Sequence, residues 1–369
     1  MKRHLLIVLL VGLAALPTFA PAYAQDAPVS TPSGAAVSLA QPLMTELPAN
    51  TRLTGLRAVY QLENRCSSAA LTIQMSYFGW GGTYTDAING LNPNAEDVAV
   101  RLDEMARFAA QHGLSSVIRY GGTVDMLKAL VANGFPVLVE NVYYDGVTGN
   151  AFNDFLSHNR VIMGYDDALG VLYSFDSLLG NGEDGQGRPI PYEGYDERWK
   201  PFNRDYMVLY RPEDEARLQA VMGDHWDFTY NLEQALAISQ QELDENRSDS
   251  YTLYNMGATL TMLGRYEEAA GYFDQARDVG LPWRMFWYQY EAMEAYLQIG
   301  RYDDVLTIAR SVIANTPGVE ETYYYAALAY ERQGDLQRAE SNLEVALFRN
   351  INFTQATEAL IRVRAAMGG

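Results

Sequence analysis

The tripeptide Gly264, Arg265, Tyr266 returns as Gly300, Arg301, Tyr302 and, more loosely, as Gly334, Asp335, Leu336. The period is about 35 residues, the length of a helix–turn–helix unit that buries its apolar stripe only against a neighbouring unit. A stretch with this period cannot close a core of its own, so residues 224–369 are expected to form an all-α stack. Small or apolar residues stand where the helices of a unit must touch. They are Met256, Gly257, Leu260, Ala269, Phe273 and Ala276 in the first unit, and Ala326, Ala327, Tyr330, Ala339, Leu343 and Ala346 in the third. The middle unit is poorer, with Val305, Ala309 and Val312 at the packing positions. Residues 229–245 read as the second helix of a preceding, incomplete unit, with Ala235 one period before Ala269.

These positions resemble the tetratricopeptide motif, which implies a solenoid with a concave inner face. Setting the motif from Ser250, Phe286 and Glu320 puts Tyr251, Tyr254, Trp287, Tyr290 and Tyr324 on that face. An aromatic row suits anchoring of a peptide or protein partner. Packing between repeats is an equally good use for the same rings.

The other end of the chain carries Lys2 and Arg3, an apolar run from Leu5 to Leu16, and then Ala22, Tyr23, Ala24 in a small-x-small pattern. This is the form of a secretory signal, with cleavage expected after Ala24. The run is shorter than the roughly 20 apolar residues of a bilayer span. The mature form is therefore expected to lack a membrane span and to be secreted or periplasmic. Residues 25–52, rich in Pro, Ser, Ala and Thr, read as a flexible tether. With 27 Lys and Arg against 46 Asp and Glu, the formal charge is −19. Such an acidic chain is a poor partner for nucleic acid or an anionic membrane.

Between these ends, residues 53–212 change character once. Cys66, Ala69, Ala70, Ile73 and Tyr77 follow helical spacing, with Gly79 as a stop. Asn94 is expected to cap a second helix running to His112, and Thr123 a third ending near Gly134. After Gly134 the pattern turns to strands at Pro136–Tyr144, Asn159–Tyr165, Val171–Phe175 and Tyr206–Tyr210, with Asp166 to Gly170 as a hairpin turn. Helices followed by strands indicate an α+β domain.

Cys66 is the only cysteine. Placed in the first turn of a helix, its thiol meets unpaired N–H groups and a partial positive charge that favour the thiolate. Thiol-based acyl transfer also needs a base, an orienting acid and an oxyanion donor. His158, Asp176 and Gln61 are of those types. The hairpin decides which acid serves His158. At about 3.3 Å per residue, Asp166 lies on the order of 26 Å along the strand from His158, whereas Asp176 returns to the open end on a strand about 4.8 Å away.

The stretch from Gln61 through Cys66, Ser67, Ala69 and Leu71 to Phe78 and Gly79 resembles the nucleophile helix of the double-glycine leader peptidases, a papain-like family. The likeness continues in Gly134 to Val137, in His158 with Gly164 to Asp166, in Asp176, and in Tyr195, Trp199 and Tyr206–Tyr210. It implies a papain-like fold with Cys66 as nucleophile, His158 as base, Asp176 as orienter and Gln61 as oxyanion donor. The chain departs from the family at Arg65 and Ser67 around the cysteine and at Ser177 after the aspartate. The function expected is that of an exported cysteine peptidase acting on peptide or protein substrates. A non-catalytic peptide-binding module and an amide-forming acyltransferase on the same residues stay open. His4 is expected to leave with the signal, and His112 and His225 to be structural or solvent-facing. No cluster has metal-ligand spacing, the acidic glycine-rich residues 180–188 match no calcium loop, and no phosphate-binding loop occurs. Neither metal nor cofactor is expected.

Overall fold

The computed structural model describes residues 43–144, 146 and 154–368. The expected signal segment, its cleavage point and most of the tether lie outside the described residues. The tether itself ends earlier than expected, because Asn50–Arg52 form a strand, β1, paired to residues 164–166. Three residues are too few to show an alternation in sequence. Gly164 admits the close pairing, since a Cβ there would meet the Thr51 carbonyl oxygen at 2.7 Å.

The first half continues with α1 (Cys66–Tyr77), α2 (Tyr84–Leu91), α3 (Leu102–Gln111), β2 (Ser115–Arg119), α4 (Val124–Ala132), β3 (Val137–Tyr144), β4 (Phe155–Asp166), β5 (Val171–Phe175), β6 (Arg188–Pro191), α5 (Tyr195–Trp199) and β7 (Tyr206–Tyr210). Four of these were not expected, α2, β2, β6 and α5. Asn94 does not cap a helix: its side chain accepts from Glu96 N in a turn, and α3 begins only after Arg101. The strands form one antiparallel sheet in the order β2-β7-β3-β4-β5-β6, with β1 against the far end of β4.

Side chains along each strand alternate between two helical layers, as the pleat requires. Leu138, Met207 and Leu209 face α1, α2 and α3, while Val137, Val139, Tyr206, Val208 and Tyr210 face α4 and α5. Helix α1 is buried nearly all round from Ser67 to Met75. Its small residues let it nest on the sheet, and Gln74 Nε2 fastens it by donating to the carbonyls of Pro136 and Met207, both at 3.0 Å.

The second half is helical: α6 (Glu215–Met222), α7 (Phe228–Glu245), α8 (Ser250–Met262), α9 (Tyr266–Val279), α10 (Glu291–Gln298), α11 (Tyr302–Asn315), α12 (Glu320–Arg332), α13 (Leu336–Arg349) and α14 (Thr354–Gly368). Pairs α8–α9, α10–α11 and α12–α13 are the repeats. The recurring glycines Gly264, Gly300 and Gly334 all have φ between 73° and 81°, the left-handed conformation that ends the first helix of each pair. Gly257 is a contact position, where a Cβ would meet the Phe273 ring at 2.7 Å. The fold is therefore a papain-like α+β domain followed by an all-α solenoid of tetratricopeptide type.

The inner face of that solenoid is not an open groove. Tyr251, Asn255 and Thr259, one turn apart on α8, all face the first half. The Tyr251 ring stacks on Phe155 at 6.3 Å, Asn255 Nδ2 donates to Lys200 O at 2.8 Å, and Thr259 Oγ1 accepts from Asn203 Nδ2 at 2.9 Å. Val142, Phe155 and Phe202 join the same apolar core as the repeats. The expected aromatic row is corrected accordingly. Tyr254 and Tyr290 are buried, the first against Phe273 at 4.9 Å and the second stacked on Tyr325 at 6.1 Å. Trp287 packs edge-on against Trp283, and Tyr324 lies against Phe353. The rings serve cohesion between repeats and docking onto the first domain, because the ends of β3 and β4 and the turn at 200–203 occupy the face a partner would need.

In the middle repeat the first helix is broken. A 3-10 turn at Trp283–Trp287 precedes α10, which starts at Glu291 and not near Phe286. The residues in the break turn toward the first domain: Gln289 Nε2 donates to Pro201 O at 2.8 Å, and Tyr288 meets Phe155 and Phe202.

Candidate active site

The approach to α1 is set by Asn64, whose φ of 56° lies in the left-handed region that asparagine tolerates. Arg65 then occupies the N-cap without a side-chain cap, leaving the first N–H groups of the helix unpaired by a cap and Cys66 at its first position. The Arg65 guanidinium is buried and does not turn to the thiol. It donates to the carbonyls of Asn94 at 2.8 Å and of Asp97 and Asn64 at 3.3 and 3.2 Å, locking the loop before α3.

His158 lies inside β4, three residues after its start, and pairs with Asn141 of β3. Its Nε2 stands 2.9 Å from Asp176 Oδ1 just beyond the end of β5, and the same imidazole is near enough to the Cys66 thiol to favour the thiolate. Because Nε2 is committed to the carboxylate, the nitrogen left for sulfur is Nδ1. The hairpin thus brings Cys66, His158 and Asp176 together. Asp176 is wholly buried and is oriented from three further sides. Leu178 N and Leu179 N donate to Oδ1 at 2.9 and 2.8 Å, and Arg160 Nη2 stands 3.5 Å from Oδ2. Asp166 and Asp167 are at the closed end, the latter paired with Lys128 at 2.7 Å.

Gln61 is tied to the same loop from the other side. Its backbone N–H donates to Ser177 O at 3.0 Å, and its side-chain carbonyl accepts from Ser177 Oγ at 2.8 Å. That bond assigns the amide orientation and leaves Nε2 as the free donor. Ser177, a departure from the family pattern, is what holds Gln61. Ser67, another departure, accepts from Asn159 Nδ2 at 3.1 Å, and the same nitrogen lies 3.9 Å from Cys66 Sγ. Asn159 and Arg160 were not singled out in the sequence, and Ser177 was noted only as a departure. Adjacency to His158 and Asp176 was the one signal available for them.

The electrostatics follow from these neighbours. Burial pushes the Cys66 thiol up, but the adjacent His158 imidazole and Asn159 outweigh it and bring it down to about 7. Burial pushes His158 down, and Asp176 and the thiol together carry it above its ordinary value. Burial raises the Asp176 carboxyl, and His158, Arg160 and the Leu179 amide more than reverse this, so it lies far below the usual range. A thiolate beside an imidazolium oriented by a carboxylate is the arrangement of a sulfur nucleophile.

One wall comes from the repeats. The Tyr288 hydroxyl meets the backbone of Ser157, next to His158, and the Ser157 hydroxyl is bonded to Glu140. Behind this wall a cavity of about 450 Å³ runs between the two halves, from Glu140 and Tyr288 to Arg101 and Tyr290.

Residues 53–207 match the sequence model described as Peptidase_C39 like family. With the fold described above, this gives a C39-like peptidase domain followed by helical repeats. No curated protein matches the chain. Among solved structures, a C39-like peptidase from Bacillus anthracis is 15% identical over 44% of this chain and 98% of its own, with a TM-score of 0.33. A double glycine motif protease from an AMS/PCAT transporter, solved with its leader peptide, is 17% identical over 43% and 92%, at 0.31. The repeats are similar to MamA from Desulfovibrio magneticus RS-1, 21% identical over 42% and 91%, at 0.30.

Proposed function

We propose that the protein is an exported cysteine peptidase that hydrolyses peptide bonds through Cys66, His158 and Asp176, with Gln61 as oxyanion donor. The observation that carries this reading is the imidazole of His158 bonded to a buried carboxylate on one side and acting on the Cys66 thiol on the other, with the thiol brought to about 7. In the reaction, the Cys66 thiolate attacks the scissile carbonyl carbon, and the charge that develops on its oxygen is met by the Cys66 backbone N–H and Gln61 Nε2. The His158 imidazolium gives its proton to the departing amine, leaving a thioester. Neutral His158 then takes a proton from water, the hydroxide attacks the thioester, and the acid product leaves with the thiol restored. Asp176 keeps the imidazole in one orientation and offsets its positive charge.

In this reading the repeats serve the substrate through Tyr288 beside the site. Among the described residues no helix is long and apolar enough to cross a membrane. Export rests on the signal-like first 24 residues. The test is turnover of a peptide library by the protein recovered from outside the cytoplasm, with intact-mass analysis before and after thiol labelling. Cleavage that disappears in Cys66→Ala, in a chain beginning at Gln25, supports the proposal. A chain that folds, labels at Cys66 and cleaves nothing would sink the peptidase reading. Products joined to an added amine would point to acyl transfer.

A further inference from the structure

Where the loop before α3 and α3 itself meet α12, the carboxyl groups of Glu104, Glu320 and Glu321 come together, one oxygen of each within 4.8 Å of the others. Glu320 and Glu321 are wholly buried, and Glu104 and Asp97, whose carboxyl feels Glu321 and Glu104, are nearly so. Three of these four carboxylates are gripped by one oxygen only. Asn350 Nδ2 donates to Glu320 Oε1 at 2.7 Å, the Tyr290 hydroxyl to Glu321 Oε2 at 3.3 Å, and Ala99 N to Asp97 Oδ1 at 2.9 Å. The other oxygens, Glu320 Oε2, Glu321 Oε1 and Asp97 Oδ2, are buried with no hydrogen-bond partner among the described residues.

The nearby cations Arg65, Arg101 and Arg107 feel these carboxylates but make their side-chain hydrogen bonds elsewhere, Arg65 to backbone carbonyls. Arg101 forms a two-bonded pair with Asp103 at 2.8 and 2.7 Å, and Arg107 reaches the same Asp103 at 2.5 Å, leaving its other arm 4.0 Å from Glu104. Burying a carboxylate without a partner costs several kcal/mol, and repulsion between neighbours adds to it. A fold that orients each of these groups by one oxygen and leaves the second bare has built a receptor for positive charge.

We propose that Glu104, Glu320 and Glu321, with Asp97 beside them, bind a hard divalent cation of the calcium class that ties the repeats to the peptidase domain. The donor set is oxygen alone, which suits calcium, magnesium or manganese and not zinc or copper. Asp97 and Glu104 come from one half of the chain and Glu320 and Glu321 from the other, so the ion forms a bond between domains. This is also why no local ligand spacing in the sequence announced it.

The test uses the full chain stripped with EDTA, with calcium chloride in equilibrium dialysis and terbium as a luminescent probe, sensitised by the neighbouring Tyr290 ring. One ion bound per chain is expected, with melting raised by a few degrees over the EDTA form. Glu320→Gln combined with Glu321→Gln should weaken binding at least tenfold and, in EDTA, melt at or above the wild type, because repulsion has been removed. The proposal is overturned if the wild type binds neither calcium, magnesium nor terbium, if its melting is the same with calcium and with EDTA, or if the double variant binds undiminished. The wild-type comparison stands even if the variants fail to fold.

Discussion

His158 Nε2, inside β4, lies 2.9 Å from Asp176 Oδ1, just beyond the end of β5, and both residues are sealed from solvent. Removing the carboxylate frees the imidazole to turn away from sulfur. Asp176→Asn and Asp176→Ala are expected to lower turnover by roughly a hundred- to ten-thousand-fold. Loss of the bonds to Leu178 and Leu179 adds about 1–3 kcal/mol of destabilisation, readable as a lower denaturation midpoint. Asp166→Ala and Asp167→Ala should leave turnover within a few-fold of wild type. The reverse ranking would remove Asp176 from the site.

The thiol's titration gives a second prediction. Thiolate accumulates as pH rises through about 7, so alkylation of Cys66 by iodoacetamide should reach half its maximum there, ahead of a free thiol at about 8.5. The acid limb of the kcat/KM profile should fall in the same region, as a property of the Cys66–His158 pair. In His158→Ala the lowering partner is gone and burial remains, so reactivity should begin only above about pH 8.5.

Gln61 and Ser177 can be separated by kinetics. Gln61→Ala removes the oxyanion donor and should reduce kcat by about 10²- to 10³-fold with little change in KM. Ser177→Ala leaves the amide in place but unheld, and should cost on the order of tenfold. If both variants keep wild-type kcat, Gln61 has no part in the chemistry.

Two glycines test how the halves fit. A Cβ at Gly318 would meet the Glu96 carbonyl oxygen of the first half at 2.0 Å, whereas a Cβ at Gly271 on α9 would meet nothing within 4 Å. Gly318→Ala is expected to destabilise the protein by about 1–3 kcal/mol. Gly271→Ala should stabilise it by about 0.5–1 kcal/mol. Thermal melting of the two variants checks the opposite signs.

The sequence pattern carried some of this architecture and not the rest, for physical reasons. The hairpin of β4 and β5 was legible because strand geometry puts Asp176, and not Asp166, opposite His158. The repeats were legible because Gly264, Gly300 and Gly334 are required by a backbone conformation that recurs. Helix α3 was expected to start too early because Asn94 looked like a cap, while in the fold it closes a turn held by Arg65, and α2 and β2 are too short to show a clear period. The aromatic row misled because periodicity says which rings share a face and nothing about what covers it. Tyr288 and the buried acids were out of reach for a similar cause, since each matters only through a residue from the distant half of the chain.

The shared apolar core around Phe155 and Phe202 has a bearing on how the protein is made. Cys66, His158 and Asp176 leave the ribosome well before the helices that shield Val142, Phe155 and Phe202. A nascent or truncated chain that stops before α8 therefore holds every reactive group but keeps an apolar patch bare, making it a target for chaperones and proteolysis. Completion of α8 and of the turn around Tyr288, and not of the last repeats, is what covers that patch.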